Sequence, residues 1–210
     1  MIRQTLLTLT ALGLLAGPAL AQPRPDPDWP CVQRKVPTLS AGTVWTGPDL
    51  ESAGAWGDDF EAAALAQKIA SRRTELKDVD GLLDAYVAKL DEAKDPEKAQ
   101  HLTRVFAGVF EVINGERSRV MSGIARYAQG QRRMAERIRQ EADQISQTKD
   151  APSAQDARDI PKDQSEIETK FAWDRRIFQE RSQSLTYVCE VPTLLEQRLG
   201  EIARKIQARL

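Results

Sequence analysis

Two stretches of this sequence carry apolar residues on a seven-residue beat, and that beat constrains the fold more than any other feature. In the later stretch, Ile167, Phe171, Asp174, Phe178, Arg181, Leu185, Val188, Pro192, Leu195, Leu199, Ile202 and Ile206 follow in alternating steps of four and three. Such spacing keeps one face of a helix turned toward a partner helix. The earlier stretch reads Leu102, Phe106, Val109, Ile113, Arg117, Val120, Ile124, Tyr127, Gln131, Met134, Ile138, Glu141 and Ile145. It takes two successive steps of four around Gly115, the mark of a stutter.

Between them lies TKDAPSAQDARDIPKDQS, whose prolines and small polar residues make a loop. If the chain folds back near residue 156, positions whose numbers sum to about 312 face each other, and the two seams match along their length. The expected core of the molecule is therefore a long antiparallel helical hairpin, about 96–148 and 163–209, of an all-α protein. Its first arm would be about 80 Å long. Asp174, Arg181 and Gln131 are polar residues on the seam; a hydrogen bond from Arg181 to Gln131 would fix register there, and a polar ligand site is the alternative.

Two shorter helices precede the hairpin. Asp58-Asp59 caps one running to about Arg73, with Phe60, Ala63, Ala64 and Ile69 on its apolar side. The other spans about Asp80 to Ala93, carries Leu82, Leu83, Tyr86, Val87 and Leu90, and stops at Asp95-Pro96. Val105, Val112 and Ile177 are apolar yet off the seam, so they receive these helices or another chain. Oligomeric state is left open by the pattern.

Residues 22–57 contrast with this. Six prolines (Pro23, Pro25, Pro27, Pro30, Pro37, Pro48) and Gly42, Gly47, Gly54 and Gly57 rule out a helix and predict an extended arm, with a short β-like piece at Gly42 to Thr46 as an option. Trp29, Trp45 and Trp56 are costly to leave in water, so the arm is expected to lie against the helices.

The first residues, MIRQTLLTLTALGLLAGPALAQ, read as a secretory signal peptide: Arg3, an apolar stretch from Leu6 to Ala16, a Gly17-Pro18 break, and small residues at 19 and 21 that suit cleavage before Gln22. The apolar stretch is short of the roughly 20 residues of a spanning helix. Three parts follow: a leader at 1–21, an arm at 22–57 and a helical domain at 58–210. Export also bears on the cysteines. The chain has two, Cys31 and Cys189, and in an oxidising compartment an intramolecular bond between them is the expected state. It would pin the arm across the hairpin, where Ser122 and Gly123 stand opposite Cys189 and leave room for a third segment. Pro192, three residues on, is expected to kink or locally break its helix.

Candidate chemistry is sparse. The chain holds a single histidine, His101, read as a solvated or capping side chain, and it contains no GxSxG, glycine-rich phosphate loop, HExxH or CxxCH. Glu166 and Glu168, or Asp78, Asp80 and Asp84, have the spacing of a solvated helix face. No catalytic residue, metal or cofactor is assigned. Arginine is the more informative residue: Arg117, Arg119, Arg126, Arg132, Arg133, Arg137 and Arg139 face the single acid Glu136 within their span. Arg119, Arg126 and Arg133 are seven apart and form one stripe. It could meet an anionic partner or, less readily, a membrane surface; the alternative is neutralisation by acids of the second short helix and of 163–180. Without the leader's Arg3, the 30 basic residues become 29 against 31 acidic ones, which gives no bias toward nucleic acid.

The expected function is that of an exported, non-enzymatic interaction protein of the bacterial envelope: a scaffold, assembly factor or chaperone-like protein in the periplasm, with an envelope protein as partner. Trp29, Trp45, Trp56 and the arginine stripe are its candidate binding residues. A small-ligand or sensory module, with a pocket where the tryptophans meet the hairpin, is the alternative from another class.

Overall fold

A computed structural model describes residues 26, 28–94, 96–149 and 162–210. The stretch read as a leader, Pro23, Pro25, Pro27 and Asp95, and the loop at the hairpin's tip apart from a few positions at the helix ends, lie outside the described residues. The fold is all-α: α1 (Phe60–Ala70), α2 (Leu76–Glu92), α3 (Lys98–Lys149) and α4 (Lys162–Gln207), preceded by an arm with two short 3-10 turns at Ala41–Thr43 and Trp56–Asp58. No strand occurs among the described residues, so Gly42 to Thr46 is not β-like.

The long hairpin forms as the heptads predict. On α3, Leu102, Phe106, Val109, Ile113, Arg117, Ile124, Gln131, Met134, Glu141 and Ile145 are buried. Pairs across the hairpin confirm the register: Arg117 Nε to Glu196 Oε1 at 2.6 Å, Arg137 Nε to Asp174 Oδ2 at 2.6 Å, and Lys170 Nζ to Glu141 Oε1 at 2.7 Å. Their numbers sum to about 312, so the chain folds back where the two seams require.

The seam departs from expectation at mid-hairpin. Val188 is 42% exposed, and its neighbour Cys189 is buried instead, because at this level the arm as well as α3 covers α4. Arg181 is exposed and makes no bond to Gln131. The Gln131 amide donates instead to the Phe178 carbonyl and Ser182 Oγ, and the Tyr127 hydroxyl donates to the Arg181 carbonyl. Register is still fixed by polar groups, through backbone acceptors and not through the guanidinium. Pro192 sits inside an uninterrupted α4. It removes the donor for the Val188 carbonyl without breaking the helix.

α1 is shorter than predicted and turned about its axis. Asp59 caps it by accepting from the Ala62 N–H at 3.0 Å. Its buried face is Ala62, Ala66, Ile69 and Ala70, while Phe60 is 84% exposed. The reason lies on α3: a Cβ added at Gly108 would come within 2.8 Å of both Ala66 Cβ and Trp56. The two backbones meet so closely there that only small residues fit, and size outweighs hydrophobicity in choosing the face. Val105 and Val112 belong to the core that α1 closes. α2 begins at Leu76, four residues before the expected start, and burial of Val79 explains the extra turn.

The arm is a layer of the core and not an appendage. Trp45 is buried and stacks on Phe106 with centroids 4.1 Å apart; its indole N–H donates to the Pro48 carbonyl. Further contacts fix it to the helix ends: Gln207 donates to Thr46, and Arg104 donates to the Ala53 carbonyl. The molecule therefore has two halves. At the base, near the ends of the chain's long helices, α1, α2 and the arm wrap the hairpin; beyond Glu116 and Arg198 the hairpin continues toward its tip as two helices with the start of the arm on one side.

Candidate functional site

Cys31 and Cys189 form a disulfide with Cα atoms 5.5 Å apart, closing a loop 158 residues in sequence separation. It fastens the start of the arm to α4 in the outer half, on the tip side of Arg198. Asp28, three residues ahead of Cys31, crosses to α3, where Gln129 Nε2 donates to it at 3.0 Å and Arg132 pairs with it. Those two donors hold the Asp28 carboxyl below its ordinary pKa. The arm thus spans both helices and is bonded to each. Gly123 plays no part in this crossing: only Arg126 of its own helix lies within 4 Å of where its Cβ would be. A disulfide fits an oxidising location outside the cytoplasm. No helix among the described residues is long and apolar enough to cross a membrane.

The three arm tryptophans do not converge. Trp29 donates its indole N–H to the Gln33 carbonyl at 2.6 Å, Trp45 is in the core, and Trp56 donates to Glu111 at 2.7 Å. Arm and hairpin do enclose a cavity of about 250 Å³, lined by residues such as Pro30, Val32, Leu185 and the disulfide, with no tryptophan among its described lining residues. Each indole has a structural task.

The arginines divide into two sets. Arg117, Arg132, Arg137 and Arg139 are paired, with Glu196, Asp28, Asp174 and Glu136. Only Asp174 comes from the acidic stretch expected to neutralise them. Asp174, with its side chain 10% exposed, raises the pKa of Arg137 chiefly through their hydrogen bond. Arg119, Arg126 and Arg133 are exposed, and no ion pair is found for them among the described residues. Their guanidinium groups fold back along α3 to lie about 4 Å from the Cβ positions of Gly115, Gly123 and Gly130, the direction in which helical side chains lean.

Opposite them α4 exposes large apolar groups that the heptad pattern does not single out. Trp173 is 60% exposed, Tyr187 74% and Leu194 58%. They stand at multiples of seven, one position ahead of seam residues Asp174, Val188 and Leu195, so a second apolar row was readable beside the first.

His101, Asp80 and Asp84 have structural roles. His101 pairs with the capping carboxylate of Asp59, joining α3 to the start of α1. Burial alone would raise the Asp59 pKa; the Ala62 N–H, His101 and Arg104 outweigh it and hold the carboxyl below its ordinary value. Asp80 pairs with Lys205 and Arg209, and Asp84 with Arg209, tying α2 to α4. Among the described residues no cluster of three or more potential metal ligands occurs.

The class defined by these features is a disulfide-braced helical hairpin with a bundled base. Compared with protein-family models, curated proteins and solved structures, the chain matches none.

Proposed function

We propose that this chain is exported to the periplasm of a bacterial envelope, its leader removed after Ala21, and that it acts there as a non-enzymatic interaction protein, a scaffold, assembly factor or chaperone-like protein for an envelope protein. The leader pattern of the first residues and the disulfide together support the compartment.

The observation that carries the interaction role is the outer half of the hairpin. Trp173, Tyr187 and Leu194 stand well exposed on a rigid two-helix rod, beside three arginines without an acidic partner among the described residues. Exposed large apolar side chains in a row, rimmed by charge, are the composition of a surface that meets another protein. The arm–hairpin cavity has no tryptophan among its described lining residues, so it is not the tryptophan-walled pocket that the small-ligand alternative called for.

Photo-crosslinking in the native envelope tests the role. A photoreactive residue at Tyr187 or Leu194 is expected to give a discrete protein adduct, and one at Lys77 on α2 is not. Absence of any adduct from the outer half, or a tightly held small molecule in native mass spectra, would overturn the role.

A further inference from the structure

The seat that α1 occupies on α3 does not stop where α1 stops. His101, Val105, Gly108 and Val112, in steps of four and three, run up the side of α3 that α1 covers: His101 pairs with Asp59 at one end and Gly108 meets Ala66 in the middle. At the other end Arg72, just past α1, pairs with Glu116 at 2.9 Å, and Arg198 of α4 holds the last carbonyls of α1. The same steps then continue through Arg119, Gly123, Arg126, Gly130 and Arg133. Gly123 and Gly130 have no atom of another segment within 4 Å of where their Cβ atoms would be. On α4 the row that begins with Arg198 continues likewise, through Leu194, Val191 and Tyr187.

We propose that this continued seat takes a helix of another protein, laid end to end with α1 and carrying carboxylates at heptad spacing along one edge and apolar residues along the other. The proposal deepens the interaction role above and rests on it. Three observations choose this occupant. First, the strip prolongs a groove that already seats a helix within the same chain. Second, glycines recur at Gly123 and Gly130 in the row that Gly108 belongs to; only the flexible guanidinium groups of Arg126 and Arg133 lie near them, so another backbone can approach once those groups turn to an acidic partner. Third, Arg119, Arg126 and Arg133 recur every seven residues, about 10.5 Å apart, which is the spacing of acidic residues on one edge of a facing helix. A lipid surface offers no such repeat and has no use for a glycine row. Glu180, the acid of the α4 row that lies level with the arginine stripe, is already paired with Arg176 at 2.9 Å.

The test uses the oxidised mature protein and a synthetic, helix-stapled peptide of about 21 residues, with glutamates at every seventh position beside a leucine row. A peptide of the same composition with its glutamates moved to the opposite face is the control, and anionic phosphatidylglycerol vesicles are a third probe. Saturable binding of the heptad peptide is expected, weakened about thirtyfold by the triple change Arg119→Glu, Arg126→Glu, Arg133→Glu. Gly123→Leu with Gly130→Leu, which fills the row without altering charge, is expected to weaken it as well. The three arginines are exposed and the two glycines have only the guanidinium groups of Arg126 and Arg133 nearby, so unchanged melting temperatures would show that the variants fold. Equal binding of both peptides, no binding, or indifference to both sets of changes overturns the proposal; so does arginine-dependent vesicle binding without peptide binding. An envelope protein captured equally by the native chain and the triple variant would leave the interaction role standing and overturn this surface alone.

Discussion

Arg198→Ala should loosen the base of the molecule more than any other single polar change. The last carbonyls of a helix have no intrahelical donor, and here one guanidinium from another helix supplies it. Arg198 Nη2 lies 2.6 Å from the Ile69 carbonyl and 2.8 Å from those of Ser71 and Thr74, and Nε lies 3.2 Å from the Ala70 carbonyl. Four acceptors share three N–H groups, so the contacts count as about three bonds; at a net value near 1 kcal/mol each, with part of the loss recovered as the turn takes up water, the change costs about 2–3 kcal/mol. Burial lowers the pKa of Arg198, with Glu116 and Glu201 pulling the other way, and a guanidinium stays charged throughout. Urea unfolding of the oxidised mature protein measures the loss, and hydrogen exchange should locate it in α1 and the turn before α2. Arg198→Lys should recover less than half, since one ammonium cannot span the acceptors. A loss below about 0.5 kcal/mol for the alanine variant, with α1 protection unchanged, would refute this assignment of the anchor.

Gly108→Ala is expected to destabilise by about 1–3 kcal/mol through overpacking against Ala66 and Trp56, despite the better helix propensity of alanine, whereas Gly115→Ala, near Arg119 alone, should stabilise by up to about 1 kcal/mol; thermal melts that fail to separate the two would contradict the close approach of α1 to α3. The lowered pKa of Asp59 makes it a source of acid sensitivity: its contribution is full above the unfolded carboxyl value near 3.9 and disappears as pH falls through the lower folded value, so Asp59→Asn should flatten stability against pH below about 4. Replacing both cysteines by serine should remove about 4–5 kcal/mol on the chain-entropy account of so long a loop, and should raise hydrogen exchange around Asp28; an unchanged unfolding midpoint would mean the arm is held without the bond.

The long hairpin and the disulfide were legible because each rests on a strong local rule. A seven-residue beat in two facing segments leaves one antiparallel register that buries both, and a chain with two cysteines offers one intramolecular pair. Apart from Ile69, the buried face of α1 was not legible, since Phe60 is the bulkiest apolar residue of that helix and yet stands in solvent. What decides the face is Gly108, some forty positions away, whose meaning depends on a contact no periodicity reports. Arg198 is of the same kind: on the sequence it is one more charged residue in a helix, and its acceptors are carbonyls more than 120 positions distant in the chain. The exchange of Val188 for Cys189 on the seam has a related cause, because a third segment, not the partner helix alone, sets which flank of α4 is covered. At the candidate site the arginine stripe was readable and its vacancy was not. Sequence counts seven arginines alike, while the fold pairs Arg117, Arg132, Arg137 and Arg139 and leaves Arg119, Arg126 and Arg133 exposed.

The claim on which compartment and arm both depend is that the exported chain carries its leading segment covalently fastened to the middle of α4. Intact-mass and non-reducing peptide analysis of the protein taken from its own envelope tests it most directly. A chain beginning at Gln22, lacking both thiol hydrogens and yielding one peptide pair that joins Cys31 to Cys189, is the result expected. A chain still beginning at Met1, or one in which both cysteines accept an alkylating reagent before reduction, would contradict the account.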